Sequence, residues 1–382
     1  MIILFKKATK LIIQKNGKYL FQLRDKSKKI YSPNKWGFFG GKVETNETPE
    51  ACAKRELYEE IKTKCHILKK YFEVVNKKTN CLHFFFKVKT LGVIKKSNLS
   101  EGQDLKWFSE EEIIKKNIAW EVKIFFRLIK KMNFKSLDQK AQNLRKKTFL
   151  AFIEKGEAHL GGSFSIIEIL IYLYNVKLDK KIDKFILSKA HASFPLCILL
   201  REMGFKISLK THLEIDEKNG INCTTGSLGH GLPISTGMAF AKKKMKKKGK
   251  IFVLISDGEC QEGTTWESLL IASKHELDNL IIIVDYNKIQ ALDYLKDALP
   301  LHNLKKKFES FNCNCIEVRN GHSFKEIDIA FKKKKKKARP LVVILNTVKG
   351  KGIKKFENNP VWHAKKLSGK DIKIGKKILG II

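Results

Sequence analysis

The chain has 382 residues, of which 43% are hydrophobic and 30% are charged, and its formal net charge is +38. This length and composition predict a soluble globular protein with two domains, because single hydrophobic cores rarely grow to this size. Only seven of the 77 basic residues are arginine, the preferred side chain for phosphate and base contacts, so the charge indicates a lysine bias and argues against a specific nucleic-acid partner.

The N-terminal stretch MIILFKKATK lacks the pattern of a signal peptide, because its lysines follow a short apolar run. No apolar run in the chain approaches the roughly 18 residues that a membrane span needs. We therefore expect a cytoplasmic protein with no membrane partner. None of the eight cysteines forms a CxxC pair or a Cys/His spacing that suits zinc, so reduced, mostly structural thiols are expected.

Up to about residue 92 the apolar runs are short and typical of strands: TKLIIQ, KYLFQL and CLHFFFKV. A strongly helical segment begins near Thr48-Pro49, so this part is predicted to be a small mixed α/β unit. Residues 118–132 have helical spacing and would close the unit. Ser136 or Asp138 would then cap a new helix. We place the boundary there and predict domains of 1–132 and 133–382.

The helix that begins near Thr48 gathers acids in an otherwise basic chain. Glu56, Glu59 and Glu60 relate as i, i+3 and i+4, so their three carboxylates project from one helix face. Oxygen ligands in such a cluster suit Mg²⁺ or Mn²⁺, which can bridge to substrate phosphates. Taken alone, such a cluster is more often a solvated acidic helix face.

The residues around this cluster fit the pattern G-x5-E-x7-R-E-L-x-E-E-I, from Gly41 through Glu47 and Arg55 to Ile61. The stretch resembles the signature of the Nudix hydrolases. The chain departs from that signature at Lys62, where the family usually has glycine.

The Nudix resemblance implies an α/β/α sandwich that hydrolyses a nucleoside diphosphate linked to another group. It implies that Glu56, Glu59 and Glu60 hold Mg²⁺ and serve catalysis, and that Arg55 pairs with Glu47. Glu101 is a candidate base or additional ligand, or else an ordinary loop acid.

Beyond the boundary the apolar runs are continuous: KFILS, KIFVLIS, NLIIIVDY, CNCIEV and PLVVILNTV. They indicate strands buried on both faces, hence an α/β fold with a parallel sheet covered by helices. The run KKKKKK at 332–337 is interpreted as a solvated helix end with weak affinity for polyanions.

Two polar residues follow successive strands of this predicted sheet. Asp257 comes after KIFVLIS, and Asn287 follows the next strand. Because neighbouring parallel strands end side by side, the two could hold one hard cation. Gly258 would let a diphosphate approach the start of the following helix. For this pair alone, a generic strand-to-helix turn is the alternative.

Further segments occur in order with this pair: AHLGGSFSIIEILIYLY, FILSKAHAS, TTGSLGHGL and TVKGKGIKKFENNPVWHAKK. Together they resemble the thiamine diphosphate-binding, N-terminal part of transketolase, over roughly 133–382. The segment EGTTWE favours transketolase over the 2-oxo acid dehydrogenases and deoxyxylulose phosphate synthase. Ser256 replaces the first glycine of the family's usual GDG. The resemblance implies transfer of two-carbon ketol units between sugar phosphates.

The same resemblance implies roles for individual residues. Mg²⁺ would be held by Asp257, Asn287 and the main-chain carbonyl of Ile289. The implied cofactor-binding residues are His191, Gly226, Leu228, Gly258, Asn287 and His363. The implied catalytic residues are His159 and His212, which would face the sugar, and His363, which would hydrogen-bond the cofactor diphosphate. The spacing from His212 to TTGSLGHGL differs slightly from the family's usual one.

Only nineteen residues follow His363, too few for the family's second domain, which carries the glutamate that protonates the cofactor's pyrimidine ring. The resemblance therefore implies a split transketolase with a separate pyrimidine-binding subunit, an active site at their interface, and two copies of each chain. The leading hypothesis is a bifunctional fusion. The alternative is that the Nudix unit binds a nucleotide without hydrolysing it and regulates the transketolase half.

Overall fold

The computed structural model describes residues 5–27, 31–156, 159–291, 293–333 and 335–382. Residues 1–4 of MIILFKKATK, Ala158 of AHLGG and Lys334 of the lysine run lie outside these ranges. The chain divides into two compact units, unit 1 (Met1–Asn133) and unit 2 (Phe134–Ile382). No helix within the described ranges combines the length and apolarity needed to cross a membrane.

Unit 1 is built on a mixed sheet. Its strands are β1 (Lys6–Lys15), β2 (Lys18–Leu23), β3 (Trp36–Gly37), β4 (Cys65–Asn76), β5 (Cys81–Thr90) and β6 (Asp104–Phe108). The order is β3-β2-β1-β5-β4, and β6 pairs with β2. Strands β1 and β5 run parallel, whereas the other pairs are antiparallel. The three strands predicted from the sequence are confirmed as β1, β2 and β5.

Three helices accompany the first sheet: α1 (Pro49–Ile61), α2 (Glu110–Ile113) and α3 (Trp120–Lys155). The helix predicted over 118–132 is confirmed as the start of α3. The new helix start at Ser136 or Asp138 is wrong, because α3 continues through both residues. No glycine or proline interrupts residues 120–155, and one serine and one aspartate in a helix interior cost too little to break it.

Unit 2 contains a parallel sheet. Its strands are β7 (Lys184–Leu187), β8 (Ile251–Ser256), β9 (Leu280–Tyr286), β12 (Asn314–Val318) and β13 (Leu341–Asn346), with a separate small hairpin of β10 (Ile289–Gln290) and β11 (Asp293–Tyr294). The sheet order is β12-β13-β9-β8-β7, and every neighbouring pair is parallel. All five strands predicted from the sequence are confirmed, and so is the α/β fold class.

Helices cover both faces of this sheet. They are α4 (Leu160–Phe164), α5 (Ile167–Tyr172), α6 (Ser193–Glu202), α7 (Gly231–Lys244), α8 (Gly263–Lys274), α9 (Leu295–Ala298), α10 (Leu304–Ser310), α11 (Phe324–Lys332) and α12 (Gly369–Ile378). Successive strand residues enter opposite cores: Ile281 and Ile283 pack in one, Ile282 and Val284 in the other. Burial on both faces explains the continuous apolar runs.

Candidate functional sites

Helix α1 places the acidic cluster of unit 1. Thr48 caps its first turn by accepting a hydrogen bond from the Ala51 N–H (3.1 Å), and Pro49 opens the helix. The helix ends at Lys62, which adopts the left-handed conformation (φ 51°) while its N–H donates to the Tyr58 carbonyl. Lys62 thus takes the backbone conformation that favours the glycine of the Nudix signature.

We expect Lys62→Gly to raise the unfolding free energy of unit 1 by about 0.5–1 kcal/mol, because a left-handed conformation strains a side chain with a Cβ. Lys62→Ala is the matched control, since it loses the same contacts but keeps the strain. Hydrogen exchange of the α1 amides in urea would report on this unit separately. Equal exchange in the glycine and alanine variants would contradict the prediction.

Arg55 organises the carboxylates beside it. It donates to Glu47 through Nε and Nη2, both at 2.9 Å, so the implied pair is present. Its Nη1 lies 2.9 Å from both Glu56 Oε1 and Glu59 Oε2. The hydrogen bond from Arg55 lowers the pKa of Glu47. A Cβ on Gly41 would fall 2.3 Å from the Glu56 carboxylate, so a larger residue there would displace that carboxylate.

Glu60 has different surroundings from the other two glutamates. It is 95% buried and accepts hydrogen bonds from Gln22 Nε2 (2.6 Å) and the Gly40 N–H (2.8 Å). Burial raises the pKa of Glu60 to about 7. In the described part of the chain, no three His, Cys, Asp or Glu side chains converge as a metal site would require. Glu56 and Glu59 still suit Mg²⁺, because carboxylate oxygens are the hard ligands that this ion prefers. Both carboxylates already contact the same cation, Arg55.

A cavity of about 580 Å³ opens on the face of the sheet beside Glu60. Residues of three strands line it: Lys6, Ala8 and Lys10 on β1, Gln22 on β2, with Arg24 just after that strand, and Cys81 and His83 on β5. Glu101 lines the same cavity. This volume is in the range of nucleotide-sized ligands. Apart from Glu60 and Glu101, the lining residues named here were not predicted from the sequence.

In unit 2, the ends of β8 and β9 bring the predicted metal-binding pair together. The Asp257 N–H donates to the Asp285 carbonyl (3.2 Å) across the two strand ends. The Asp257 carboxylate accepts from the N–H groups of Gly258 (2.9 Å) and Lys288 (2.6 Å). Burial, followed by repulsion from Asp285, raises the pKa of Asp257 well above its usual range. A cation bound beside this carboxylate would stabilise its charged form.

Asn287 is held in a defined orientation. Its Nδ2 donates to Asp285 Oδ2 (3.0 Å), and its Oδ1 accepts from the Ile289 N–H (3.1 Å). Asp285 is itself buried against Lys189, with 2.5 Å between Lys189 Nζ and Asp285 Oδ2. Burial acts to raise the pKa of Asp285, but Lys189 lowers it. The sequence analysis did not identify Asp285 or Lys189.

Lys349 lies between two predicted site residues. Its Nζ donates to the Ile289 carbonyl (3.0 Å) and lies 2.9 Å from His363 Nδ1. Burial, and then the charge of Lys189, lower the pKa of Lys349. Lys349 lies in the TVKGKG segment but was not among the residues predicted for the site. A cation thus already contacts the carbonyl that was expected to bind Mg²⁺.

Three histidines from separate segments meet in unit 2. The ring centroids of His159, His191 and His363 lie 5.5–5.6 Å apart. Burial, followed by the charge of Lys349, lowers the pKa of His363 to about 3. Burial, followed by the charge of Lys189, lowers the pKa of His191. Neutral imidazoles can each donate one hydrogen bond, which suits the recognition of diphosphate and sugar oxygens.

The remaining predicted residues lie on the loop before α7 and at the end of β8. His212 lies against Gly226, where a Cβ would come within 2.9 Å of His212 Cδ2. Leu228 is 39% exposed on the same loop. A Cβ on Gly258 would meet nothing closer than 3.7 Å, so its backbone is open to a ligand. The donor set therefore fits a magnesium diphosphate: oxygen ligands, neutral histidines and an accessible backbone.

Glu259 joins the loops of this site, and sequence reasoning missed it. It is fully buried and accepts hydrogen bonds from the Ser188 hydroxyl, the Gly229 N–H (3.1 Å) and the Ser256 N–H (2.8 Å). Ser256 also donates its hydroxyl to Glu259 (3.2 Å). The serine in place of the usual glycine is therefore part of a hydrogen-bonded turn.

Family models match both units. The model described as "Transketolase, thiamine diphosphate binding domain" matches residues 142–382, and the model described as "NUDIX domain" matches residues 5–128.

Two curated relatives resemble unit 2. An apulose-4-phosphate transketolase subunit of Actinobacillus succinogenes is 35% identical, over 64% of this chain and 95% of the relative. A 6-deoxy-6-sulfo-D-fructose transketolase subunit of Clostridium sp. (strain MSTE9) is 33% identical, over 61% of this chain and 92% of the relative.

Among solved structures, the transketolase of Campylobacter jejuni is similar, with 28% identity and a TM-score of 0.57. The alignment covers 64% of this chain and 42% of that one, so the chain spans about two fifths of the length of that transketolase. The chain belongs to the transketolase family through the thiamine diphosphate-binding domain in its unit 2, and it carries a Nudix domain in unit 1.

Proposed function

We propose that this chain is the N-terminal subunit of a split, cytoplasmic transketolase that transfers two-carbon ketol units between sugar phosphates. The proposal rests on how much of each relative the alignment covers. It covers 92–95% of the length of two relatives named as transketolase subunits, but only 42% of the transketolase of Campylobacter jejuni. A separate subunit would carry the pyrimidine-binding domain, with two copies of each chain in the assembly.

The residues of unit 2 would have distinct tasks. Asp257, Asn287 and the Ile289 carbonyl would hold Mg²⁺, for which Lys349 would have to leave that carbonyl. When bound, thiamine diphosphate supplies the nucleophilic carbon that takes up the ketol unit. The predicted cofactor contacts are His191, Gly226, Leu228, Gly258, Asn287 and His363. His159 and His212 would donate hydrogen bonds to the sugar, and His363 would donate one to the cofactor diphosphate.

Co-purification from the native cell, followed by an assay of the complex, tests this function. We expect a stoichiometric companion with a pyrimidine-binding domain, and ketol transfer between sugar phosphates only when both chains are present. Full ketol transfer by the chain alone would overturn the split assembly. A complete complex that binds thiamine diphosphate without ketol transfer would overturn the reaction.

We further propose that unit 1 hydrolyses a nucleoside diphosphate linked to another group, with Mg²⁺ or Mn²⁺ on Glu56, Glu59 and Glu60, for which Glu60 would have to leave Gln22 and Gly40. Water would form a bond to one phosphorus as the bridging P–O bond breaks, and its proton would pass to a carboxylate. The cavity beside Glu60 supports this proposal, because its cations, among them Lys10 and Arg24, complement phosphate charge. No specific nucleic-acid partner is proposed.

We expect Glu59→Gln to lower metal-dependent hydrolysis by about 100-fold or more, because the amide removes one charged ligand for the metal. A panel of nucleotide sugars and other nucleoside diphosphate derivatives, read by release of a nucleoside monophosphate, provides the assay. Glu73→Gln is the matched control, since Glu73 is an exposed acid on β4. Parent-level turnover in Glu59→Gln would exclude this metal site.

A regulatory function is the alternative for unit 1. It is favoured by the surroundings of Glu60, which is hydrogen-bonded to Gln22 and Gly40 while Glu56 and Glu59 contact Arg55. In that case the unit would bind a nucleotide without hydrolysing it. Nucleotide binding with no turnover on the whole panel, together with an effect on ketol transfer, would identify this alternative.

A further inference from the structure

Unit 2 has a second concave surface at the amino-terminal edge of its parallel sheet. The pocket has a volume of about 210 Å³, and its apolar residues are Ile281, Phe331 and Leu341. Ile281 and Leu341 lie at the starts of β9 and β13. Asp257 and Asn287 follow strand ends, so the pocket is at the opposite edge of the sheet from the predicted cofactor site.

The remaining lining of this amino-edge pocket is strongly cationic. Among the described residues it consists of Lys177, Lys250, Asn314, Lys335, Lys336, Lys337 and Arg339, with Asp278 as the one acid. The six cations come from three segments: the turn after α5, the residue before β8 and the stretch before β13. The lysine run is therefore more than a solvated helix end, because the fold adds Lys177 and Lys250 to it.

In the part of the chain that the structure describes, three of these cations have no carboxylate within ion-pair distance, although Asp183 and Asp328 attract Lys177 from farther away. Within the described ranges, no ion pair is formed by Lys177, Lys250 or Arg339. Burial, and then the charge of Lys250, lower the pKa of Lys177. Burial, and then the charge of Lys177, lower the pKa of Lys335. The folded chain thus holds like charges together in a partly dehydrated pocket, at a cost that a bound anion would remove.

The position of Arg339 adds a second observation. Arg24, Arg55 and Arg145 each form an ion pair with a glutamate. Arg339 is half-buried, faces the pocket and forms no such pair within the described residues. The chain has few arginines. The planar guanidinium group of Arg339 lines the pocket, where it could donate two hydrogen bonds to a phosphate.

We propose that the amino-edge pocket binds a small phosphate-bearing anion, either inorganic phosphate or the phosphate group of a small metabolite. The concave shape and apolar floor favour a small ligand over a nucleic acid, because a polymer would meet only the outer lysines, such as Lys336 and Lys337. The site is separate from the proposed catalysis, so its occupancy would act on the stability or activity of unit 2 from outside the active site.

Lysine labelling of the full chain, read residue by residue by mass spectrometry, tests the proposal directly. With inorganic phosphate or ribose 5-phosphate as the probe, at constant ionic strength and with EDTA present, we expect labelling of Lys177 and Lys250 to slow at least about threefold near saturation. The exposed lysines Lys274 and Lys373, outside the pocket, should react at an unchanged rate. Unchanged labelling of Lys177 and Lys250 with both probes would overturn the proposal.

The concentration dependence separates the two sources of phosphate. If ribose 5-phosphate protects the lysines at a concentration at least about tenfold lower than inorganic phosphate does, the pocket is a metabolite site. If both probes protect at the same concentration, free phosphate is a sufficient ligand. Protection by a short RNA alone would replace the proposal with a polymer-binding surface.

A pair of charge-matched variants provides an independent readout. In Lys177→Gln/Arg339→Gln, phosphate should no longer raise the thermal midpoint, whereas Lys274→Gln/Lys373→Gln should respond like the parent chain. Without phosphate the pocket variant should be at least as stable as the parent, because the mutual repulsion is relieved. An equal response to phosphate in both double variants would contradict a specific site.

Discussion

Glu168→Ala is expected to destabilise unit 2 by about 3–5 kcal/mol, because it leaves a buried arginine without its counter-charge. Arg145 and Glu168 are each 94% buried, and Arg145 Nη2 lies 2.6 Å from Glu168 Oε1. The other oxygen of Glu168 accepts a hydrogen bond from His322 Nδ1 (2.8 Å). His322 Nε2 accepts from the Val348 N–H (2.8 Å), which fixes the ring as the tautomer with the proton on Nδ1.

The effect of this substitution should extend to the cofactor site. Val348 precedes Lys349, which contacts His363 and the Ile289 carbonyl. A Cβ on Gly352 would lie 2.4 Å from Arg145 Cδ, so the loop packs directly on the arginine. We therefore expect faster hydrogen exchange in residues 347–352 of the variant than in the parent chain.

Urea unfolding, with hydrogen exchange to assign the transition to unit 2, gives the measurement. Glu202→Ala is the control for an exposed ion pair, that of Lys147 and Glu202, and should cost less than about 1 kcal/mol. The double variant Arg145→Met/Glu168→Leu should lose less stability than Glu168→Ala, because it leaves no unpaired arginine. If Glu168→Ala and Glu202→Ala cost the same, the buried network is not what stabilises this region.

The pH dependence of this effect has a definite sign. Burial acts to raise the pKa of Glu168, but Arg145 and His322 lower it below the usual value. A lowered folded-state pKa means that the carboxylate stabilises the fold above the unfolded pKa of about 4.3 and stops doing so as the pH falls through the folded value. The difference between parent and Glu168→Ala should therefore shrink below about pH 4.

The sequence predicted the parallel sheet of unit 2 and the placement of Asp257 and Asn287 because both depend on local patterns. Continuous apolar runs identify strands buried on both faces, and a polar residue just after such a run must lie at the carboxyl edge. The departure at Lys62 is likewise a local feature, since it coincides with the left-handed end of α1. These features need no knowledge of how distant segments meet.

The features that the sequence did not reveal depend on contacts between distant segments. Lys349, Asp285 and Glu259 have their roles only because separate loops converge on them. In a chain with 77 basic residues, Lys10 had no feature that marked it as the buried lining of a cavity. The predicted break in α3 is wrong for a local reason. Ser136 is a residue type that caps helices well, but no residue nearby ends the helix before it.

The charge of Asp257 is expected to lower the stability of the metal-free chain but to strengthen the binding of Mg²⁺ and thiamine diphosphate. Asp257 is 99% buried, its main-chain N–H donates to the Asp285 carbonyl, and the Asp285 charge repels its carboxylate. Burial and that repulsion raise its pKa, so the charged form costs folding free energy when no metal is bound. We expect Asp257→Asn to raise the stability of the metal-free chain by more than about 1 kcal/mol at neutral pH.

The pH window of this gain follows from the raised pKa. A group with a raised folded-state pKa contributes fully below its unfolded value, about 3.9 for aspartate, and loses that contribution as the pH rises through the folded value. The advantage of the asparagine variant should therefore be absent near pH 3.5 and grow towards neutrality. Unfolding with a chelator present, for parent and variant at each pH, provides the measurement.

The same substitution should weaken Mg²⁺-dependent binding of thiamine diphosphate by about 100-fold, because a neutral amide replaces the only charged ligand proposed for the metal. Titration by calorimetry, in the complete complex and with Mg²⁺ at a fixed concentration, measures the loss. Asp293→Asn on the small hairpin is the matched control, since Asp293 is exposed. A variant that is more stable yet binds the cofactor normally would show that Asp257 is not a metal ligand, whereas a gain in stability with a loss of binding would show that the fold retains this buried charge for the metal.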